Sequence, residues 1–528
     1  MLVPIKIDLL VKNGNILTMN KDQPTAEALA VKDGKILSIG SNEQITNRYP
    51  HVEKVIDLAG KMVCPGFYDT HTHLLSYGVR SFDVSLTDVQ SPQEAIQKIE
   101  QRAKKVSPGE WIFGFGWDET NWDEKRPITR QELDQIAPKN PTYIRRVCGH
   151  LAVLNSKALQ ELNIKWDDPD LELDSETDEP TGIIKDAIID RIADSKKLQR
   201  SQEEINEAVK PACYYANAVG VTSVADNLSI SQVKAYITAW RKNELTVRVC
   251  MNIPKDHFAH YFNAGLKTGF GDDFLKIGGI KIFTDGSIGA WTAALNEPYY
   301  DDDSSLGEFY IEEEKFQALI KKAVKNDWQT ATHAIGDRAI EFVLRAFEQI
   351  EDPERIKKER HRIEHAEFLL DDQLQRAKEL GLILSMQPNF AGRWGRPQQL
   401  YELRLGSERY KLLNNFRKII DANALMTFGS DNMPMDPLYG IWSVVTHPID
   451  DIKISVPEAL YHYTLGAAYS SFDEDIKGSL EPNKLADFVV LEHDILSIDP
   501  DEIKNTKVLM TFVNGKKVYD ANNQQKPT

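Results

Sequence analysis

The sequence predicts an α/β protein: a (β/α)8 TIM-like barrel, a composite β-sandwich domain built from both termini, and a large insertion after the first barrel strand. Three observations predict it. Short apolar strands alternate with helical stretches through the middle of the chain. Both ends carry hairpin-forming runs. Polar residues of one chemical kind recur where the strands end. A length of 528 residues suits one large barrel with a smaller domain beside it.

The ends come first. "IDLLVKNGNILTMN" and "EALAVKDGKILSIG" are short β-rich runs with Asn-Gly and Asp-Gly turns, the strongest local hairpin signal. "LADFVVLEHD" and "KVLMTFVNGKKVYD" repeat the pattern near the other end, with Asn514-Gly515 as the turn. Residues 1–60 and 471–528 are therefore expected to pair into one β-domain, because termini often lie close together. Eight strands are expected between them, within 61–470. They fall at 62–69, 220–226, 245–253, 275–287, 328–337, 361–367, 382–390 and 424–433, separated by helical patterns such as "EEEKFQALIKKAVKN" and "DRAIEFVLRAFEQI". This alternation implies a parallel sheet, and eight units fit a barrel. Residues 76–215 are too long for a single connection. They hold helical pieces and the acidic stretch "DDPDLELDSETDEPTG", and they read as an insertion forming a lid or subdomain.

Composition excludes several classes. The chain is 41% hydrophobic and 27% charged, enough for a large core and against disorder. A formal net charge of −17 argues against nucleic acid or an anionic membrane surface, since both need clustered cations. No run approaches a membrane span, and Lys6, Asp8 and Lys12 break up the apolar N-terminus. Cys64, Cys148, Cys213 and Cys250 are far apart and read as reduced thiols of a cytoplasmic protein.

The stretch "MVCPGFYDTHTHLLSYG", Met62 to Gly78, carries two histidines one residue apart. On a strand, residues two apart share a face, so His71 and His73 project the same way. Two neutral imidazoles that converge form a chelating pair for a divalent ion; two ordinary surface histidines are the plain alternative. Chemistry in such barrels sits at the C-terminal strand ends. Strand 4 carries Lys281, strand 5 ends in His333, strand 6 in His365 and strand 8 in Asp431. Four of the twelve histidines thus fall at strand ends, together with an aspartate after the last strand.

These residues, with "CPGFYDTHTH" at the opening and "GSLEPNKLADFVVL" near the close, resemble the amidohydrolase superfamily. "GFGWDE", "GHLAVLNSKAL", "EPTGIIKDA", "KIFTDGSIGA", "THAIGDRAI", "RIEHAE" and "GSDNMPMDPLYGI" resemble one branch, the third amidohydrolase sequence family, which includes N-substituted formamide deformylases. Members often have a basic residue after the turn in "DGSIG", where this chain has Trp291.

The resemblance implies one or two divalent metal ions, zinc by default because imidazole and carboxylate suit it. His71 and His73 would hold one, with Asp431 as a further ligand, and His333 and His365 a second. Lys281 would be carboxylated and bridge the two; an unmodified lysine paired with Asp285 is the alternative. Asp431 is also the candidate catalytic proton acceptor, and His150 the candidate hydrogen bond to the substrate carbonyl. Trp117, Asp285, Trp291, Phe390 and Arg393 are candidate substrate contacts at the rim. Trp394 and Arg396 lie beside them, and Asp337 reads as a helix cap. The expected activity is hydrolysis of a C–N, amide-type bond of a small molecule by metal-activated water. The alternatives are a mononuclear deaminase of the same superfamily, against which Lys281 argues, and a non-catalytic ligand-binding relative. Homodimerisation is left open.

Overall fold

Eight parallel strands follow one another around a nearly closed barrel. They are β1 (Phe67–Thr72), β2 (Val221–Asn227), β3 (Arg248–Pro254), β4 (Leu275–Phe283), β5 (Thr330–Ala334), β6 (Arg362–His365), β7 (Ile383–Met386) and β8 (Met426–Phe428). In this computed structural model they pair in chain order, every ladder parallel. The Thr70 hydroxyl donates to the Phe428 carbonyl at 2.8 Å, and the Asp431 amide to the His71 carbonyl at 2.8 Å, bringing β8 back to β1. Residues 6–119, 122–146, 151–166, 168, 171–174, 177–193 and 195–523 are described.

Most strand residues are buried, which is why the strands read as apolar runs rather than alternating ones. Amphipathic helices pack against the barrel through an apolar stripe. In Glu313–Lys325 the buried residues Phe316, Ile320, Ala323 and Val324 recur at helical spacing. None of the described helices is long and apolar enough to cross a membrane. Cys64, Cys213 and Cys250 are buried free thiols.

The chain divides into two compact units, Met1–Leu75 with Val209–Thr528, and Ser76–Ala208. The first holds the barrel and two further sheets. One has four strands, in the order Lys35–Gly40, Ala28–Lys32, Ile7–Lys12, Val52–Asp57. The other runs Lys516–Asp520, Val508–Val513, Phe488–Leu491, Met62–Pro65, Asn15–Leu17, Thr25–Ala26, and so interleaves the two ends of the chain. Val11, Val31, Ile36, Val63, Phe488 and Phe512 share their common core, with the Phe488 and Phe512 rings stacked at 4.3 Å.

Three sequence expectations are corrected here. The run at 62–69 is two strands, not one. Met62–Pro65 belongs to the β-domain, and the barrel begins at Phe67 rather than residue 61. Gly66 separates them where a Cβ would lie 2.3 Å from Thr222, so only glycine lets the chain pass. Asp33-Gly34 and Asn514-Gly515 do close hairpins with both residues left-handed. Asn13-Gly14 does not: Ile7–Lys12 and Asn15–Leu17 enter different sheets, and the turn carries the chain between them. The insertion is also shorter than 76–215, because the helix Val209–Ala218 packs with the barrel's unit.

The second unit, 76–208, is built on a six-stranded sheet in the order Leu171–Leu173, Pro180–Lys185, Leu151–Leu154, Thr142–Arg146, Ile112–Trp117, Val84–Ser85. Helices such as Pro92–Ala103 and Arg130–Ile136 pack on it. Trp117, Trp122, Ile112, Ile144 and Leu133 lie in one of its cores.

Candidate metal centre

The end of β1 is held by carboxylates before it offers any ligand. Asp69, two residues before His71, accepts the backbone N–H groups of His71 at 3.2 Å and Ser430 at 2.9 Å, and the Ser430 hydroxyl. Gly429 lets β8 approach, since a Cβ there would lie 2.4 Å from the His71 nitrogen. Asn432 accepts from the His73 amide at 2.6 Å and from the Thr72 hydroxyl. At the end of β2, Asp226 accepts from the amides of Leu74 and Leu75 at 3.0 and 3.1 Å and from the Tyr236 hydroxyl at 2.7 Å. The strand end that carries both histidines is thus clamped from both neighbouring strands.

One donor from each of His71, His73 and Asp431 lies within 4.8 Å of the others. Asp431 Oδ1 is 3.3 Å from His73 Nε2 and 3.8 Å from His71 Nε2. Lys281 Nζ is 3.4 Å from His71 Nε2. The His365 ring centre lies 4.6 Å from that of His71 and 4.4 Å from that of His333. His71, His73, Lys281, His333, His365 and Asp431 therefore form one cluster at the C-terminal ends of β1, β4, β5, β6 and β8. His365 (φ 74°) and Asp431 (φ 50°) reach it from left-handed backbone, a conformation costing about 1–3 kcal/mol in a non-glycine residue and concentrated at functional sites.

The electrostatics keep His71, His333 and His365 neutral. Burial, reinforced by Lys281, pushes His71 well below its ordinary range and His333 down to about 3; burial with His333 and His71 lowers His365 likewise. Burial pushes Lys281 down to about 8 against the pull of Glu364 and Asp431, and pushes Asp431 up to about 7 against Lys281. His333 Nε2 donates to the Gly286 carbonyl at 2.9 Å, which leaves Nδ1 with a lone pair. Nδ1 of His333 and Nδ1 of His365 are buried and have no hydrogen-bond partner among the described residues. Orphaned imidazole nitrogens beside a carboxylate and two further histidines fit a divalent cation.

The remaining candidates separate. Phe390 is buried and stacks on His365 at 6.0 Å, with Trp394 against it at 4.9 Å. Asp285 is fully buried; it accepts from the amides of Ala294, Ile335 and Gly336, and its Oδ1 lies 3.6 Å from His333 Nε2. Trp291 is stacked under Arg404 at 3.6 Å and donates to Asp301. Arg393 is exposed and lies over Trp394 at 5.6 Å; Arg396 donates to Thr446. Trp117 is 1% exposed, and its indole donates to the Ile144 carbonyl within the second unit. His150 lies outside the described residues. The sequence reading passed over Asp69, Asp226, Glu364 and Phe283. Phe283 is 41% exposed at the end of β4, with Lys281 Nζ 4.6 Å from its ring. A signal existed for two of them: Asp69 and Glu364 stand within two residues of a strand-end histidine, His71 and His365.

A family model described as "Amidohydrolase family" matches residues 54–519. Protein LONG AFTER FAR-RED 3 of Arabidopsis thaliana is 31% identical over 542 residues, covering 98% of this chain and 92% of that relative. N-substituted formamide deformylase of Arthrobacter pascens is 26% identical over 543 residues, covering 97% and 98%. The crystal structure of an uncharacterized metal-dependent hydrolase from Pyrococcus furiosus matches with a TM-score of 0.79 at 30% identity, covering 93% of this chain and 100% of that one. The matched stretch takes in the barrel and the C-terminal part of the β-domain, and the chain belongs to the amidohydrolase superfamily, in its third sequence family.

Proposed function

We propose that this metal-dependent hydrolase cleaves a C–N, amide-type bond of a small molecule, with His71, His73 and Asp431 holding one divalent ion and His333 and His365 a second. The observation that carries the reading is the pair of buried imidazole nitrogens, on His333 and His365, that have no hydrogen-bond partner among the described residues and stand next to the His71–His73–Asp431 group. Zinc suits this donor set. A bound divalent ion lowers the pKa of water from about 15.7 to about 7 and polarises a carbonyl oxygen.

The protein's own groups supply the rest. Asp431 takes a proton from the attacking water as its oxygen joins the carbonyl carbon. It then returns that proton to the nitrogen as the C–N bond breaks, leaving a carboxylic acid and an amine. A carboxylate placed beside the attacking water suits a group that must accept a proton and hand it on. Lys281, pushed down to about 8, has the neutral amine fraction needed to add to carbon dioxide, giving a carbamate and one proton. That modification would turn a buried cation into an anion with two oxygens able to ligate metal. Phe283 and Phe390 give the centre apolar neighbours, which favours substrates with an apolar substituent near the scissile group.

The test is a screen of zinc-loaded protein against formamides, N-acyl amino acids and cyclic amides, reading both amine and ammonia. Amine release with one or two zinc ions per chain is the expected result. Ammonia release alone would favour the deaminase reading, and absence of stoichiometric metal after reconstitution would remove the proposal.

A further inference from the structure

We infer that Glu364 is a positioning residue that fixes the tautomer and ring orientation of His71, so that Nε2 is the atom offered to the metal, with Arg362 as the carboxylate's counter-cation. This rests on the reading of His71 as a metal ligand. The strand β6 reads Arg362-Ile363-Glu364-His365, and its first three residues are completely buried. A charge placed there is costly unless it is paired and hydrogen-bonded. Arg362 and Glu364 are two apart and share a face, and Arg362 Nε lies 2.8 Å from Glu364 Oε1. The other carboxylate oxygen, Oε2, lies 2.5 Å from His71 Nδ1.

The direction of that contact decides the tautomer. A carboxylate oxygen only accepts, so Nδ1 of the neutral ring carries the hydrogen and Nε2 keeps its lone pair. Nε2 points at the cluster, 3.4 Å from Lys281 Nζ and 3.8 Å from Asp431 Oδ1. Oε2 faces His71 and Oε1 lies beside the Arg362 guanidinium, so the carboxylate stands on the far side of the ring from the cluster. Its place is behind the ligand, where such carboxylates orient a ring and raise its basicity. Arg362 is the charge nearest the carboxylate: none of its guanidinium nitrogens, nor Glu364 Oε1, has a directional hydrogen bond among the described residues, so the two groups are held together as an ion pair at close range.

The experiment measures zinc affinity of the full-length, metal-stripped protein by competition with a chromophoric chelator, alongside thermal melting of the metal-free form. In Glu364→Gln the amide has one acceptor oxygen, so it can satisfy His71 or Arg362 but presents an N–H to the other. Zinc affinity is expected to fall about 10- to 100-fold. Glu364→Asp, which keeps the charge but withdraws the oxygen by one methylene, should fall between Gln and wild type. A folded Glu364→Gln with wild-type zinc affinity overturns the inference, even if its metal-free melting drops, because that pattern belongs to a merely structural group. If Glu364→Gln does not fold, Glu364→Asp decides in the same way: weakened affinity supports the inference and unchanged affinity overturns it. Wild-type protein that binds no zinc, or a His73→Asn variant that binds it normally, overturns the reading of the centre itself and this inference with it.

Discussion

Both ends of the barrel bury charged and polar groups, and only the C-terminal end gathers several metal-ligating side chains at one point. At the N-terminal ends of the strands, Arg248 opens β3 and donates to both oxygens of Asp487 at 2.6 and 2.9 Å. Lys276, near the start of β4, is 2.5 Å from one oxygen of Asp473, and Lys477 is 3.1 Å from the other. Burial would raise the Asp473 carboxyl, but Lys477 and Lys276 outweigh it and hold it below its usual range. At the C-terminal ends, His333 and His365 keep bare nitrogens and Lys281 sits among imidazoles. Burial of charge therefore does not mark the site. What marks it is the convergence of imidazoles and a carboxylate, residue types that ligate metal, on one point.

The sharpest way to break this contrast is Asp431→Asn, which should lower kcat by about 10²- to 10⁴-fold with the metal-free fold intact, as read by turnover and circular dichroism. A variant at full turnover would move the proton-accepting role elsewhere. Next is Asp487→Ala at the other end, which strands the Arg248 charge and should cost about 3–5 kcal/mol in denaturant unfolding. Zinc content per folded molecule should not change; if it does, the two ends are not independent.

A smaller effect separates the ends by pH. His361, at the base of β6, is pushed down to about 3 by burial, while its Nδ1 accepts from the Thr330 amide at 3.2 Å. Its folded value lies below its unfolded value near 6.5, so acid protonates the unfolded chain first and favours unfolding. Relative to His361→Asn, wild type should lose roughly 1.4 kcal/mol per pH unit on going from pH 6.5 toward 4, measured by paired melts. Parallel curves for the two proteins would contradict a neutral buried ring. The smallest effect belongs to Arg393→Gln. This exposed side chain should leave kcat/KM for a neutral formamide within about twofold, and a loss confined to anionic substrates would instead make it a specificity contact.

The barrel was legible because parallel strands buried on both faces are continuous apolar runs, and its ligands because histidine is rare enough at strand ends to stand out. The second unit's sheet was not. Its edge strands, Val84–Ser85 and Leu171–Leu173, are two and three residues long and carry no period to read. Asn13-Gly14 misled for a different reason: left-handed backbone at Asn13 serves a crossing between sheets as well as a hairpin, and the choice depends on partners far along the chain. Trp117 looked like a rim aromatic by motif, whereas packing against Trp122 claims it. Glu364 was hidden inside a quoted motif, because its meaning depends on His71, 293 positions away.

The strand Met62–Pro65 sits between Asn15–Leu17 and Phe488–Leu491, so its second edge is completed by residues more than 420 positions later. A ribosome adding about 5–20 residues per second needs on the order of 20–90 s to supply that partner. Throughout that interval an apolar edge stands open beside the first barrel strand, ready to pair with another nascent chain. Synthesis speed and chaperone occupancy should therefore govern the yield of this protein more than its final stability does, and shortening the wait by circular permutation should raise it.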